Sequence, residues 1–462
     1  MESSYDVIIV GGGIGGTAIG ALLANRGHKV LLVDKNQTIG GRCTSYEKDG
    51  FTVDLGVHLF GVADRGSLGE VCRRVGRPDA VQWVAIQQPV LRYKDEVKRY
   101  SRRTMQEMVP RTEMENFGLL FANIFAMAEE ELENLWYTPL AEWVNRFSRD
   151  PMVHAFVDMI CGQYFCIPSR TASTAEFIQC FKEVVAARAS AYPRGGCIAI
   201  PRAYAKVITE CGGQIALRTP VKRILVEKRR AAGVELADGS RIRSRIVISN
   251  ADIKDTVFSL VGREHFPDAY AERVSRLTYA FPAVALKAAL KEKITDDQLL
   301  MYIPYDYEET FRIAKRTMET GEVPERLGGM ITSPTNYDPS LAPEGQQMIF
   351  FGTACTQSKD WRPWEKTLLD TFFHLYPQAE DKVLWYRLDT PDLVNAYAGE
   401  DGNIIGVGQS VDQIREHRPR QVTPIQGLYL CSAEAGGHGI GTELAASSAL
   451  ELDVLLAAGS NP

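Results

Sequence analysis

The first forty-two residues constrain the fold more than any other stretch of the chain. Tyr5 to Val10 is an apolar run of strand type, and it leads straight into Gly11-Gly-Gly13-Ile-Gly-Gly16, a G-x-G-x-x-G turn. A helix rich in small residues is predicted from Ile14 to Arg26, closed by Gly27. A second apolar run, Lys29 to Val33, ends in Asp34. This is a βαβ unit with each part where binding of a dinucleotide wants it. Gly11 permits the tight turn, and Gly13 lets the backbone approach a pyrophosphate. Gly16 and Gly20 let helix and sheet pack closely. Unpaired N–H groups and the dipole at the helix N-terminus favour the phosphate charge. Asp34, 21 residues beyond Gly13, is placed to accept hydrogen bonds from adenosine ribose hydroxyls. The motif alone does not separate NAD from FAD.

With 462 residues, the chain has length for two or three domains and an ample core. Its net charge of −6 removes any general electrostatic case for nucleic acid. Nine scattered cysteines show no C-x-x-C and no metal-type Cys/His spacing, so no metal site is expected. An odd count without a signal-peptide pattern points to reduced thiols in a cytoplasm. No apolar stretch approaches the ~20 residues of a membrane helix. Phe117 to Met127 is the greasiest segment and lies near Lys98, Arg99, Arg102 and Arg103. The reading preferred here is a buried helix beside a solvated basic loop; peripheral contact with a bilayer is the sharper alternative.

The last residues look like a partner of the first. Gln426 to Ser432 reads as a turn and a buried strand. A glycine-rich link, Ala433-Glu-Ala-Gly-Gly-His-Gly-Ile-Gly-Thr-Glu443, then opens a small-residue helix reaching about Leu456. A middle block begins at Tyr192-Pro-Arg-Gly-Gly196, with a helix from about Pro201 to Cys211. Strands follow at Ile215–Leu217, Val221–Glu227, Gly233–Leu236, Arg241–Ile242 and Ile246–Ile248, with a hairpin signal at Asp238-Gly239. Residues 70–190 show helical periodicity and many aromatics, more often core than tunnel; residues 270–395 mix strands and helices.

Ile39-Gly-Gly-Arg42 with Asp54-Leu-Gly56 resembles the extended FAD motif of the flavin amine oxidase and phytoene desaturase superfamily. Pro193-x-Gly195-Gly196, Gly212-Gly213, Gly233-Val-x-Leu236 and Ser249-Asn-Ala-Asp252 resemble the middle block of the phytoene desaturase branch. Gly402-Asn403, Arg418-Pro419 and Thr423-Pro-Ile-x-Gly-Leu-Tyr-Leu430 resemble its C-terminal signature. The resemblance implies an α/β fold: a Rossmann-type FAD-binding domain in three pieces (1–70, 191–270 and 396–462), with an inserted mixed-sheet and helical substrate domain (71–190 and 271–395). It implies that Gly11, Gly13, Ile14, Gly15 and Gly16 cradle the pyrophosphate, and that Asp34 and Lys35 lie at the adenosine ribose. Gly41 and Arg42 would run along the diphosphate and ribityl chain, and Gly56 and Val57 near the flavin. Val221 would hold adenine through its backbone, and Glu434 a ribityl hydroxyl. Ile440, Gly441 and Thr442 would face the flavin pyrimidine edge, where a helix N-terminus stabilises the charge of a reduced ring.

The resemblance also implies the reaction, hydride transfer on a C–C or C=C bond (desaturation, saturation or isomerisation) of an apolar, isoprenoid or carotenoid-like substrate, with an unspecified electron partner. Two residues are catalytic candidates. Lys287, in Ala283-Val-Ala-Leu-Lys-Ala-Ala-Leu290, looks similar to a strand lysine that amine oxidases carry beside the flavin. The preferred reading is a lysine facing solvent beside Lys291 and Lys293. His58, after Asp54-x-Gly56, is a proton donor or polar lid, or equally a loop histidine bonded to backbone. His438 has the same standing, and Glu443 is expected to cap or support the last helix. Two alternatives stand beside the leading reading: a flavin oxidase of amines, and a non-catalytic escort similar to the Rab GDP-dissociation inhibitors.

Overall fold

A computed structural model describes residues 1–56, 59–87, 89–99, 102–107 and 109–459. The elements that position the site begin with β1 (Val7–Val10), α1 (Ile14–Asn25) and β2 (Val30–Val33). Four helices follow: α2 (Ser67–Arg74), α3 (Met114–Ala126), α4 (Pro151–Phe165) and α5 (Thr174–Ala187). Next come α6 (Ala199–Glu210), β3 (Gln214–Ala216) and β4 (Ile246–Ser249). Then β5 (Ala283–Leu290), α7 (Tyr307–Thr320), β6 (Gln347–Ala354) and β7 (Val383–Asp389) lead to β8 (Leu428–Leu430) and α8 (Thr442–Ala457).

Five strands form one parallel sheet in the order β8-β4-β1-β2-β3. Their continuous apolar runs are those of strands buried on both faces. Alternation sorts the two sides: Val7, Ile9, Val30 and Leu32 pack with α1, α6 and α8. Ile8, Val10, Leu31 and Val33 pack against a three-stranded antiparallel sheet, Val221–Glu227, Arg230–Leu236 and Arg241–Arg243. Gly20 permits the close approach of α1 and α6, since a Cβ there would lie 2.7 Å from Ile208 Cδ1. After β2 the chain later returns to the other side of β1 as β4. Such a reversal opens a crevice at the carboxyl ends of the strands, and Gly11, Asp34 and Asn250 all sit there.

A second, seven-stranded mixed sheet carries β7, β5 and β6, followed by Gly329–Thr332, Leu299–Ile303, Val90–Tyr93 and Glu96–Arg99. One face of β5, with Val284, Leu286, Ala288 and Leu290, packs against the helix Arg362–Leu375. The hairpin Ser45–Lys48 and Phe51–Asp54 covers the other face, where Phe51 and Val53 meet Ala289, Met348 and Phe350.

The region 70–190 is therefore not wholly helical, because two of its strands extend this sheet. Lys98 and Arg99 lie on a strand, with Lys98 3.1 Å from Glu96, and Arg103 pairs with Glu107 at 3.0 Å. Of the basic residues in the sequence reading, Lys98 and Arg103 are thus each neutralised by a neighbouring acid. Most of the aromatics fill the helical core of α3, α4 and α5, with Phe177 and Phe181 stacked at 5.9 Å. No helix among the described residues is long and apolar enough to cross a membrane.

Candidate active site

A single cavity of about 1410 Å³ runs from the crevice above β1 into the space between the second sheet, α4 and α7. Ligand pockets are commonly ~300–1,000 Å³, so this one has room for two molecules end to end. Gly11, Gly13, Ile14, Gly15, Asp34, Lys35, Gly41, Arg42, Gly56, Val221, Ile440, Gly441 and Thr442 all line it. The three sequence blocks thus meet on one surface. Val57 and His58 lie outside the described residues.

The glycine turn is held from behind by a residue without an assigned role in the sequence reading. Asn250, at the end of β4, accepts through Oδ1 from the Gly13 N–H (2.9 Å) and donates through Nδ2 to the Cys431 carbonyl (2.6 Å). One amide therefore joins the first, middle and last segments. A Cβ at Gly13 would stand 2.6 Å from Asn250 Oδ1, and one at Gly15 would stand 2.6 Å from the Cys431 carbonyl oxygen. Only hydrogen fits at either position.

Asp34 braces the other side of the turn. Its Oδ2 accepts from the Gly12 N–H and its Oδ1 from the Asn36 N–H, each at 2.7 Å. Burial pushes this carboxyl up, opposed by those two backbone donors. A carboxylate has about four lone-pair sites, so acceptor capacity remains toward the cavity. The surroundings fit a dinucleotide: backbone stripped of side chains, a helix N-terminus, a carboxylate and the Arg42 guanidinium, whose Nη1 lies 3.3 Å from Asn403 Oδ1.

Two expected ligands stand elsewhere. Gly16 does not line the cavity; a Cβ there would sit 2.1 Å from the Gly11 carbonyl, so its service is to the turn itself. Glu434 is fully buried behind the wall, where its Oε2 accepts from the Ile253 N–H at 2.6 Å. This bond ties the last segment to the middle one. Arg418 works in the same sense, donating to the carbonyls of Ala433 and Gly436 that shape the glycine-rich link.

Lys287 overturns the solvent-facing reading. It is fully buried, donates to the Gly56 carbonyl at 3.0 Å, and lies 3.7 Å from the centroid of the Phe350 ring. The period-two alternation of β5 puts it on the face of Ala283 and Ala285, which line the cavity, rather than with the charged pair beyond the strand end. Burial pulls its ammonium below the usual range, opposed by Asp389 and Asp54. Asp54 is itself satisfied by Ser45, Tyr192 and Cys197.

Behind Gly439 and Ile440 lies a chain of charges that sequence reasoning missed in large part. His438 has Nδ1 3.1 Å from the Glu176 carboxylate and Nε2 3.1 Å from Glu183. With an acceptor at each ring nitrogen, both nitrogens carry a proton. Burial works against that imidazolium, but Glu176 and Glu183 more than offset it, and the ring is pushed up to about 10. Glu176 is buried and also accepts from Gln409 Nε2 at 2.6 Å. Among the described residues, Glu176, Cys180 and His438 place one donor atom each within 4.8 Å of one another. Burial and the Glu176 charge push the Cys180 thiol far up, which makes it a hydrogen-bond donor to Glu176 rather than a thiolate ligand. The available sequence signal was Ser173-x-x-Glu176, which places an acid in the first turn of a buried helix.

Glu443 caps α2 rather than its own helix. Its Oε2 accepts from the Leu68 N–H at 3.0 Å, while Oε1 has no hydrogen-bond partner among the described residues. Burial pushes this carboxyl up to about 8, against the Leu68 and Ser67 N–H groups.

Beyond the nucleotide crevice the wall turns apolar, with Met159, Tyr164, Met301, Ile303, Met318 and Met330. Of the aromatics Trp83, Phe117, Phe121, Phe125, Trp136, Trp143, Phe147, Tyr164 and Phe165, Tyr164 alone lines it; the others belong to cores or surface.

Residues 9–75 match the model of a family described as "NAD(P)-binding Rossmann-like domain". The prolycopene isomerase of Daucus carota is 26% identical over 92% of this chain and 75% of its own. The zeta-carotene-forming phytoene desaturase of Myxococcus xanthus is 25% identical over 95% of this chain and 91% of its own. Among solved structures, an oxidoreductase from Methanosarcina mazei superposes with a TM-score of 0.73 at 22% identity, over 96% of this chain and 99% of that one. Wild-type putrescine oxidase bound to putrescine gives 0.72 at 13% identity, over 98% and 99%. These two likenesses speak for the fold.

Proposed function

We propose that the chain is an FAD-dependent oxidoreductase, similar to phytoene desaturases and prolycopene isomerases, that acts on the carbon skeleton of a long apolar isoprenoid. The observation that carries this is the shape of the cavity. It is continuous from the glycine turn to the apolar wall of α4 and α7, and it is larger than one dinucleotide-type ligand needs.

In this reading Gly11, Gly13, Ile14 and Gly15 take the pyrophosphate, Asp34 and Lys35 the ribose, and Val221 the adenine. Gly41 and Arg42 follow the diphosphate and ribityl chain, and Gly56 and Ile440 to Thr442 border the ring. Bound FAD supplies hydride acceptance or donation at its ring nitrogen N5. The protein binds the polyene in extended form, presents one C–C bond to that edge, and excludes water with Met and Tyr side chains. The three chain segments around the parallel sheet act as one cofactor domain, and 71–190 with 271–395 as the substrate domain. Delivery of so apolar a substrate suits a lipid surface. Leu119 and Phe125, exposed on α3, support peripheral contact there.

A second reading, oxidation of small amines, is favoured by one observation, the buried Lys287 behind Gly56. The test is anaerobic spectroscopy of the purified FAD-loaded chain. Phytoene or prolycopene in detergent should perturb or bleach the flavin band, whereas putrescine should not. A colourless chain that ignores added FAD overturns both readings.

A further inference from the structure

We propose that Gly162 is a specificity-determining residue: its missing side chain gives the cavity a bore wide enough for a methyl-branched chain. The inference rests on the isoprenoid reading and deepens it, by naming what lets such a chain in where a bulkier wall would admit only an unbranched one.

A glycine within a helix needs a reason, because it loses more backbone freedom on folding than any other residue. Gly162 lies within α4, and its carbonyl accepts from the Cys166 N–H at 3.1 Å. The ordinary reasons are missing. Its backbone is helical rather than left-handed. It does not end the helix, since that turn falls to Cys166 at φ 50°. Nor does packing demand it: a Cβ at this position would meet no atom of the described residues within 4 Å.

What lies beyond the missing side chain is the cavity. Ala155, Asp158, Met159, Gly162, Gln163 and Cys166 line it from one face of α4, at helical spacing. Phe156, Ile160 and Phe165 turn the other way, into the helical core. Gln163, the next residue, has Nε2 3.8 Å from Met301 Sδ on the strand Leu299–Ile303. Helix and sheet are therefore bridged by side chains at this level, and the bore beside the bridge depends on what residue 162 carries.

The rest of the wall yields. Met159, Met301 and Met330 are unbranched and refill space by rotation, whereas a helix backbone does not move aside. An isoprenoid carries methyl branches at regular intervals, and the double bonds that bear them do not bend away. A straight fatty chain has no such width. Bare backbone at 162 leaves room for the branch, and a leucine there would fill it.

The experiment uses full-length, FAD-loaded protein as wild type, Gly162→Ala, Gly162→Leu and Gly118→Leu. Gly118, on α3, is the control: a Cβ there also meets open space, but outside the cavity. Flavin content reports folding and loading, and it should be equal in all four. The fluorescent, unbranched trans-parinaric acid reports entry of a straight chain. Phytoene and prolycopene in detergent are read by their displacement of it. Wild type and Gly118→Leu should take both kinds of chain. Gly162→Leu should weaken binding of the branched polyenes roughly tenfold or more, as overpacking does. Parinaric acid should stay within about threefold of its wild-type affinity. Gly162→Ala should fall between, and should not melt below wild type, since alanine is the better helix former.

Branched polyenes held by Gly162→Leu as tightly as by wild type overturn the proposal. So does an equal loss of both kinds of chain, which would make residue 162 an obstruction without selectivity. A lower melting temperature in Gly162→Ala overturns it too, by giving the glycine a packing role. A wild type that binds parinaric acid but neither polyene overturns the isoprenoid reading and the selectivity with it. The straight-chain signal, retained in that outcome, distinguishes it from the other failures.

Discussion

Lys287 reaches from the middle of β5 to donate to the carbonyl of Gly56, 3.0 Å away, and so pins this part of the cavity wall to the second sheet. The bond spans two parts of the molecule far apart in sequence. The lysine is more a brace than a free reagent, because its hydrogen bond is spent on backbone.

Lys287→Met should therefore act mainly on the Gly56 segment. In an enzyme whose electrons pass to a carrier, turnover with that carrier should fall by a few-fold, on the order of 1 kcal/mol or less. Stopped-flow measurement of the two half-reactions checks this. A large, selective loss of reoxidation by oxygen would make the amine-oxidase-type reading the leading one.

Gly13→Val should yield a folded but colourless chain. A branched side chain meets Asn250 Oδ1, which a single Cβ already approaches to 2.6 Å, and occupies the space of the pyrophosphate. Flavin absorbance after purification and dialysis against FAD reads the result.

Asn250→Ala removes two hydrogen bonds that join three segments. At about 0.5–1.5 kcal/mol each, the apo protein should lose about 1–3 kcal/mol. FAD should protect it less than it protects wild type. Urea unfolding with and without FAD separates the two effects, and an unchanged midpoint would remove Asn250 from this role.

Asp34→Ala should weaken FAD binding roughly ten- to a hundredfold, since a charged hydrogen bond is worth about 1.5–3 kcal/mol. It should also loosen the turn, because Gly12 and Asn36 both donate to this carboxylate. Isothermal titration gives the first quantity and a thermal melt the second.

Glu443 predicts a pH dependence. Its folded pKa of about 8 stands above the ordinary value of 4.5. Its contribution to stability is thus full below pH 4.5 and is lost as pH rises through about 8. Glu443→Gln keeps an acceptor for the Leu68 N–H and removes the titration. The variant should melt higher than wild type at pH 8.5, with the difference shrinking at pH 5.

Local pattern made the βαβ unit, the middle strands and the closing helix legible, because strand alternation and glycine spacing are written in consecutive residues. The hairpin at Asp238-Gly239 and the strand Val221–Glu227 fall where turn chemistry puts them. Lys287 was misread because Lys291 and Lys293 suggested a charged face, whereas those two lie past the strand end, paired with Asp381 and Asp296. Asn250, Glu434 and Glu443 were opaque for a shared reason. Each does its work on backbone more than a hundred residues away, and no periodicity records a partner at that distance.

The order of strands in the parallel sheet has a consequence for how the molecule comes into being. β8 is made last among its strands, yet it stands beside β4, and its Cys431 carbonyl completes the clasp on the first turn. A ribosome that has finished the glycine turn has still to make nearly all the rest before that clasp can close. Pairing of such long sequence separation is slow to form. The nascent chain thus waits with an open crevice, and capture of the nucleotide belongs to the end of synthesis rather than its start. Until the clasp closes, the unlatched chain is exposed to chaperones and proteases, so the speed of this last pairing bears on how much protein survives.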